Sequence, residues 1–515
     1  MIEQVWEMDA GERARQRRQL LLRRGAAFCA MLAAAMVYRA DTLTHWDSWD
    51  YAAQAVSGQS SDLLLGRWWF IAAMRAAWLA GRALFGLSDL HAHLAMQAAN
   101  MLMLGAAVVL AMAWVRRLTG SATAEALLAV LLVTGPNLGI HGAAVMTEAM
   151  TLLMLAAAFW TWEVARAAGR GRWAWAMLGG MCFGVATDIR EPAGLLCAWP
   201  ILSCLVDRPR GRWGLLGAAA AGAVLTLGLG VVEAWAWYPR TCGFFRNIVG
   251  WTQNMASERR QFGISALVNL KFVAIYGAFA CPGVALLAGP ATVWCGLAGR
   301  RRLMWLSLAG LPYLGSLLMN HDFQVNSRFV LPLVLMPAPA VAAMLAAGVA
   351  WRARRPRLRL AAAALAVAAL GAVPLTVLRN SLDVFYFQEA EGKARLLAAM
   401  SQLPPRAAVI PGPGTAVAYY LNRIGRTQFE VIASGWAWPG PLLAHDVATA
   451  LRCAPGGVFV DIRTTDWISL VRQDSEWSQL SAVLANYDLG PGIWPMAQVL
   501  PKSSQSQPAF GAGPR

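Results

Sequence analysis

Two carboxylates and two aromatic rings lie close together in the segment Asp47-Ser-Trp-Asp-Tyr51, directly after the first long hydrophobic stretch of the chain. Acidic side chains are costly near lipid, so those retained there usually have a function. A carboxylate can take a proton from a hydroxyl or an amine. We therefore take Asp47 and Asp50 as candidate catalytic residues. Trp49 and Tyr51 are candidates for stacking on a substrate.

A second set of polar residues is scattered through the hydrophobic part of the sequence. Glu148, in a Met-Thr-Glu turn, is a third catalytic candidate. Arg190 and Arg328 can hold a departing phosphate in a bidentate grip and stabilise its growing charge. His321 joins them as a donor-phosphate candidate, and Arg67 joins the substrate-binding candidates. This set suits transfer onto an acceptor hydroxyl or amine from a lipid-borne phosphate donor.

Each of these residues also has a purely structural interpretation. Asp47, Asp50 and Glu148 could cap helices, since acidic side chains are favoured at helix starts. Arg328 could anchor the chain to lipid headgroups, and His321 could be an ordinary loop residue. The sequence leaves both interpretations open.

The composition indicates the setting in which these residues must be positioned. Hydrophobic residues make up 58% of the 515-residue chain and charged residues 14%, and the apolar residues come in blocks of membrane-spanning length. The N-terminus and five short loops together carry the whole net charge of +16; the loops are 116–117, 163–172, 207–212, 300–302 and 352–359. This is the positive-inside pattern, whereas a nucleic-acid partner would need the charge on one soluble face. We expect a polytopic membrane protein that contacts the bilayer and binds no nucleic acid.

If every basic loop is cytoplasmic, the chain crosses the membrane about eleven times, with the N-terminus inside and the C-terminus outside. Three of the predicted spans are Ala124–Ile140, Ile275–Leu297 and Val330–Ala350. The predicted domains are a cytoplasmic basic N-terminus at 1–24, a transmembrane domain at 25–378, an extracytoplasmic α/β domain at 379–502 and a disordered tail at 503–515.

The first external loop, at 41–92, contains an apolar stretch that could pass for a further span. This stretch, Gly66–Gly86, carries Arg67, Arg75 and Arg82 on one helical stripe. Such a stripe favours an amphipathic helix that lies in the outer membrane interface, with its arginines reaching the headgroups.

The composition changes after residue 379, where turn residues become frequent. Short β-like runs at Ala407–Ile410, Phe429–Ala433 and Gly457–Ile462 alternate with helical stretches at Leu442–Leu451 and Trp467–Leu484. Alternation of this kind is typical of a small α/β domain.

Several of these segments resemble the GT-C superfamily of membrane glycosyltransferases, in the branch that contains protein O-mannosyltransferases and the bacterial aminoarabinose transferases of lipid A. The residues from Asp47 to Ala55 are similar to its Asp-Ser-x-x-Tyr-x-x-x-Ala motif, and Glu148 stands where the family often has a second acidic residue. The remaining likenesses are Leu84-Phe85-Gly86, the turn from Thr187 to Pro192, which resembles a stretched Thr-Arg-Pro, and the segment from His321 to Pro332, which resembles His…Arg-Tyr-x-x-Pro.

The resemblance implies an all-α polytopic fold of the GT-C type, followed here by the small extracytoplasmic domain. It implies an inverting transferase that takes a sugar from a polyprenyl-phosphate donor on the periplasmic face of a bacterial inner membrane. Asp47 would be the general base, and Arg190 or Arg328 would bind the donor phosphate. The acceptor would be a glycan, a lipid or a protein of the cell envelope, and no cofactor or metal is expected.

The chain departs from the family pattern at two motifs. It has Ser48 where the mannosyltransferase branch has a glutamate, so Asp50 is the remaining candidate for a second carboxylate. A divalent cation shared by Asp47 and Asp50 is a less favoured alternative. The two extra residues before Pro192 leave open that Arg190 only neutralises a neighbouring acid.

Other functions fit parts of the same pattern. A transporter or flippase for polyprenyl-linked glycans would place ionisable residues at mid-bilayer and show repeat symmetry between its halves. A polymerase of such glycans would use the same donors, and a non-catalytic assembly partner would tolerate loss of Asp47.

Overall fold

A computed structural model describes residues 10–43, 45–59, 67–237, 265–319, 327–350, 361, 363–364, 366, 388–412, 415–432, 440–462 and 475–502. The chain divides into two compact units. The first consists of residues 1–39, 60–77 and 95–381, and the second of residues 40–59, 78–94 and 382–515. The predicted span at 360–378, for the most part, and the predicted tail at 503–515 lie outside the described residues.

Helices of 4 to 28 residues make up most of the described chain before residue 351. Their bounds are α1 Ala10–Val37, α2 Trp46–Ser57, α3 Trp68–Phe85, α4 Ala92–Thr119, α5 Ala122–Val133, α6 Pro136–Ala143, α7 Glu148–Ala167, α8 Arg172–Ile189, α9 Ala198–Asp207, α10 Arg212–Trp237, α11 Ala266–Ala280, α12 Pro282–Leu297, α13 Arg301–Leu308, α14 Leu311–Leu318, α15 Leu331–Val334 and α16 Ala338–Ala350. Short 3-10 turns at Asp89–His91, Glu191–Cys197 and Ser327–Val330 join some of them.

Three helices in the described part of the chain are long and apolar enough to cross a bilayer on their own. They are Ala14–Val37, Asp89–Thr119 and Arg212–Gly230. Three bent pairs, α5 with α6, α11 with α12, and the turn at 327–334 with α16, bring the number to as many as six. The count of about eleven spans stays a prediction.

The bent pairs differ from the straight spans that the sequence predicts. The axis turns by 65° within the predicted span Ala124–Ile140, by 116° within Ile275–Leu297 and by 58° within Val330–Ala350. A proline begins the second helix of the first two pairs, at Pro136 and Pro282, and its ring cannot continue the preceding hydrogen-bond ladder. Such breaks are tolerated where protein or a cavity satisfies the freed backbone groups.

Close packing of α8 on α10 depends on small residues. Gly180 and Gly184, one turn apart on α8, face backbone atoms of Ala219 and Ala223 so closely that a Cβ atom at either position would clash. Small residues at this spacing let two helix backbones approach where lipid offers no hydrophobic drive for association.

The first unit contains both aromatic packing and a buried charge network. Trp114 stacks on Phe159 at 4.8 Å, and Phe183 meets Phe159 edge-on at 5.3 Å. Elsewhere in the same unit, the buried carboxylate of Glu163 accepts hydrogen bonds from Arg166 and Arg302. Both side chains come from helix ends next to predicted cytoplasmic loops, and the pairing joins α7 to α13.

A five-stranded sheet forms the centre of the second unit. Its elements are α17 Gln388–Met400, β1 Ala408–Ile410, α18 Thr415–Arg423, β2 Glu430–Val431, α19 Gly440–Cys453, β3 Val458–Asp461, α20 Ser475–Leu484, β4 Tyr487–Gly490 and β5 Met496–Pro501. The strand order is β2-β1-β3-β5-β4. β1 pairs in parallel with β2 and β3, and β5 pairs antiparallel with β3 and β4. Leu443 and Val447 of α19 belong to the core that covers the sheet.

The sequence predicts the three parallel strands of this sheet within two residues at each end, and the structure adds the two antiparallel strands. Residues 467–474 of the predicted helix Trp467–Leu484 lie outside the described residues, and the rest forms the helix Ser475–Leu484. β4 and β5 were missed because their residues lie among glycines and prolines that indicate turns.

Candidate active site

Glu148 is the first residue of α7, and its exposed fraction is only 1%. Residues 144–147 turn the chain from α6 into α7. The Asn100 side chain on α4 donates to the carbonyl oxygen atoms of Ala144 and, at 2.8 Å, of Met146. Carbonyl groups released at a helix break need such donors in an apolar interior. Asn100 therefore fixes the turn that positions Glu148.

Arg190 follows the last residue of α8 in an extended conformation, with φ −150°. Pro192 comes two residues later and prevents α8 from continuing. The Arg190 guanidinium donates to the Glu148 carboxylate and lies 4.7 Å from the centre of the Phe329 ring. Arg190 is 7% exposed. It therefore pairs with a distant buried acid, beyond any neutralisation of its neighbours in the turn.

Arg328 reaches the same carboxylate from the 3-10 turn Ser327–Val330. Its Nε atom lies 3.7 Å from Glu148 Oε1, and its guanidinium lies 5.5 Å from the centre of the Phe329 ring. Phe329 thus contacts both guanidinium groups, and its ring face offsets part of their mutual repulsion. Contact with Glu148 makes a simple headgroup anchor a poor description of Arg328.

The cluster of Glu148, Arg190 and Arg328 has an excess of positive charge in a buried place. Two guanidinium groups face one carboxylate. Arg190 Nε and Glu148 Oε2 are both buried, and neither has a hydrogen-bond partner among the described residues. A buried N–H group without an acceptor is costly. The cluster therefore has the charge and the spare donor to receive an anion.

Two further side chains, which no sequence motif indicates, complete the surroundings of the cluster. The Tyr313 hydroxyl donates to the Phe329 carbonyl oxygen at 2.8 Å and also interacts with Arg190. His141 on α6 lies close enough to interact with the charge of Glu148. Neither residue has a distinctive neighbourhood in the sequence. Phe329 does have a signal in the sequence, because it follows Arg328 directly within the motif that resembles His…Arg-Tyr-x-x-Pro.

Asp47 and Asp50 belong to the second unit, where both lie on α2 and are half-buried. His45 is the N-cap of this helix, and Asp47 lies in its first turn, where the helix dipole favours a negative charge. Asp50 lies one turn inside, so it does not cap the helix. Asp50 accepts hydrogen bonds from Arg423 at 3.1 Å and from Gln54 at 2.7 Å. The predicted meeting of Asp47 with the arginine cluster stays a prediction.

The remaining candidates occupy different surroundings. Trp49 and Tyr51 are buried, at 1% and 0% exposure, and their predicted roles in substrate stacking stay predictions. Arg67 precedes α3 in the left-handed region, with φ 70°, and its backbone N–H donates to the Asp188 carbonyl oxygen at 3.1 Å. A non-glycine residue held in this region stores strain, which often marks a functional position. His321 lies outside the described residues.

Metal ligation depends on groups of ligating side chains. Within the part of the chain that the structure describes, no three His, Cys, Asp or Glu side chains are grouped to hold a metal ion. Both oxygens of Asp50 accept hydrogen bonds from donor side chains, an arrangement that suits an ion pair better than a shared cation. The absence of a resident metal stays a prediction.

No protein-family model matches the sequence. No curated protein sequence matches it either. Solved structures do match. ArnT from Cupriavidus metallidurans bound to undecaprenyl phosphate superposes with a TM-score of 0.60 and 13% identity, over 93% of this chain and 97% of that chain. The archaeal oligosaccharyltransferase AglB from Archaeoglobus fulgidus, in complex with an inhibitory peptide and a dolichol-phosphate, superposes with a TM-score of 0.52 and 9% identity. The match covers 96% of this chain and 75% of that chain.

A third match is the Archaeoglobus fulgidus oligosaccharyltransferase tethered with an acceptor peptide, with a TM-score of 0.52 and 10% identity over 92% of this chain and 72% of that one. The chain has a GT-C fold. The resemblance that the sequence motifs predict is thereby confirmed at the level of the fold. Because one fold can host several activities, the activity of this GT-C chain must be argued from its own residues.

Proposed function

We propose that this chain is an integral membrane glycosyltransferase that moves a sugar from a polyprenyl-phosphate donor to an extracytoplasmic acceptor. The observation that carries the proposal is the buried cluster of Glu148, Arg190 and Arg328, in which two guanidinium groups face one carboxylate and Arg190 Nε has no hydrogen-bond partner among the described residues. An anion that can reach a buried site in an apolar helical unit is most naturally the head of a lipid.

The GT-C fold supports this assignment. One solved structure with this fold is bound to undecaprenyl phosphate, and another is in complex with a dolichol-phosphate. Both ligands are lipid monophosphates, the product that would remain after a sugar leaves its polyprenyl-phosphate carrier. We infer the same class of donor for this chain.

The proposed step forms one bond and breaks one. The acceptor oxygen or nitrogen attacks C1 of the sugar from the face opposite the phosphate, and the bond between C1 and the phosphate oxygen breaks. Asp47 takes the acceptor proton as general base. Arg190 and Arg328 bind the phosphate and stabilise the charge that grows on it as the polyprenyl phosphate leaves. The configuration at C1 is inverted.

The finer assignments belong to the same proposal. The sugar is a hexose or a pentose, and the acceptor is a glycan, a lipid or a protein of the cell envelope. We place the reaction at the outer face of a bacterial inner membrane, with the N-terminus in the cytoplasm and the C-terminus in the periplasm. The basic loops support this orientation.

The test is release of free polyprenyl phosphate from a panel of polyprenyl-phosphate sugars in the presence of host envelope lipids. We expect the wild type to consume one donor and the folded Asp47→Asn variant to lose at least about 100-fold in rate, the lower end of what a general base contributes. Equal rates would remove Asp47 as the base. Donor binding without consumption, across a full panel of acceptors, would contradict a transferase.

A flippase of polyprenyl-linked glycans is the second candidate, because the three bent helix pairs are a feature that transporters use at their binding sites. Reconstituted vesicles separate the two functions. A flippase moves the lipid-linked sugar between leaflets with the sugar still attached, whereas a transferase releases polyprenyl phosphate.

A further inference from the structure

The helix that carries the proposed base packs on a helix of the C-terminal sheet region. Within the second unit, α2 packs against α18. The Trp49 ring meets the Tyr420 ring edge-on, with centroids 5.2 Å apart. Aromatic pairs in this geometry stabilise beyond the area that they bury.

Asp50 makes the charged contact of this packing. Arg423 Nη1 lies 3.1 Å from Asp50 Oδ1, and Gln54 Nε2 lies 2.7 Å from Asp50 Oδ2. The side chains of Asp50 and Arg423 are 13% and 27% exposed, so water screens this ion pair less than it screens a surface pair. Each Asp50 oxygen is thus held by a donor.

Tyr420 makes a second polar contact within the same unit. Its hydroxyl donates to the carbonyl oxygen of Asp89, which begins the 3-10 turn before α4. Burial, followed by the nearby Asp89 carboxylate, raises the pKa of Tyr420 above its ordinary value. The hydroxyl therefore stays protonated and remains a hydrogen-bond donor at any physiological pH.

The end of α18 is itself fixed. The Asn422 side chain donates to the Phe429 carbonyl oxygen at 2.9 Å and accepts from the Phe429 N–H at 2.8 Å. This joins the end of α18 to the segment that leads into β2. The inner face of α18, with Val417 and Leu421, is buried. Arg423 is therefore presented from a rigid helix end, as a precise contact requires.

We propose that Arg423 is a positioning residue for the catalytic motif. It anchors α2 through Asp50, so Asp50 is a structural anchor and Asp47 alone supplies the catalytic carboxylate. Asp47 lies three residues before Asp50, on the same side of the helix, so the anchor sets the direction in which Asp47 projects. This inference rests on the proposed transferase function, and it gives the C-terminal sheet region a role in catalysis.

The test compares Arg423→Gln, Asp50→Asn and the double variant with a matched control. The control is Arg395→Gln, which breaks the exposed Arg395–Glu391 pair in the same unit. We expect Arg423→Gln to lower kcat about tenfold while the donor KM changes less than about twofold, because a displaced base slows the transfer without weakening uniform donor binding. The kcat of Asp50→Asn should fall by the same factor, and the double variant should be no slower than either single variant. Arg423→Lys should recover part of the rate.

Two results would overturn the proposal. One is Arg423→Gln behaving like Arg395→Gln. The other is a kcat of Asp50→Asn that is more than about 100-fold below the kcat of Arg423→Gln, since that would make Asp50 itself a catalytic group.

Thermal unfolding of the same variants distinguishes this proposal from the proposed function. If the wild type transfers no sugar, the proposed function is contradicted. The unfolding midpoints still test whether the Asp50–Arg423 pair anchors α2. Equal lowering in both single variants with no further loss in the double variant supports the anchor. Additive lowering contradicts it.

Discussion

Glu148, Arg190 and Arg328 come from three separate parts of the sequence and share one buried contact. The sequence predicted each of them individually from its motif and residue type. It did not predict that Glu148 would pair with both arginines, because pairing depends on how α7, α8 and the turn at 327–330 pack. For the same reason, nothing in the sequence indicated a role for Arg423. It ends an ordinary amphipathic helix, and only the fold brings it to Asp50.

Both arginines should contribute to binding of the lipid phosphate. Arg190 has a spare buried N–H, so we expect Arg190→Gln to weaken binding of polyprenyl phosphate by about 10- to 100-fold, the range for one or two lost charge-assisted hydrogen bonds. Arg328→Gln should weaken it too, because its guanidinium reaches the same carboxylate. Titration of purified protein with the lipid measures both.

The control for this prediction is Arg172→Gln. Arg172 also lies over an aromatic ring, 5.0 Å from the centre of the Trp173 ring, but it has no part in the cluster. Equal lipid affinity in Arg190→Gln and Arg172→Gln would show that the cluster does not bind the phosphate.

At the scale of the elements, the breaks in the helices position the site. Hydropathy predicted where apolar residues lie, and therefore found α4, α7, α8 and α10. It could not reveal that three predicted spans bend by more than 40°, because composition carries no information on helix direction. Pro136 and Pro282 were the available signals. The break between α6 and α7 is what brings Glu148 to the arginines.

We predict that the Asn100 side chain is needed to hold the turn between α6 and α7. Asn100→Leu removes the donor to two buried carbonyl groups, and each unmade hydrogen bond costs about 1–3 kcal/mol. We expect a lower unfolding midpoint together with tighter lipid binding, because the turn that holds Glu148 relaxes and its carboxylate competes less for the two arginines. Differential scanning fluorimetry and lipid titration measure the two effects.

Leu102→Ala provides the comparison, since Leu102 lies on the same helix and is 52% exposed. An Asn100→Leu variant that unfolds and binds lipid like Leu102→Ala would mean that the turn is held by other contacts.

At the scale of the whole molecule, the charge and hydropathy patterns predicted a membrane protein, and the motifs predicted the GT-C fold. The sequence predicted a separate C-terminal domain, but it did not predict that residues 40–59 and 78–94 join this region across more than 280 residues of sequence. Contacts at such separations leave no local pattern. The predicted orientation follows from the basic loops alone.

Labelling of single cysteines tests the orientation. In a variant whose other cysteines are replaced, the exposed Cys453 should react with a membrane-impermeant maleimide on intact spheroplasts. A cysteine placed at Arg170, in a basic loop, should react only after permeabilisation. The reverse pattern would invert the topology and place the proposed donor site on the cytoplasmic side.

The central claim is that a lipid phosphate binds to Arg190 and Arg328 in competition with Glu148. The most direct measurement is the dissociation constant of polyprenyl phosphate for wild type and for Glu148→Gln. Removing the carboxylate raises the formal net charge of Glu148, Arg190 and Arg328 together from +1 to +2. Glu148→Gln should therefore bind the lipid about tenfold more tightly, a gain of about 1.4 kcal/mol, and should gain more thermal stability on binding. Unchanged or weaker binding by the folded variant would contradict the claim.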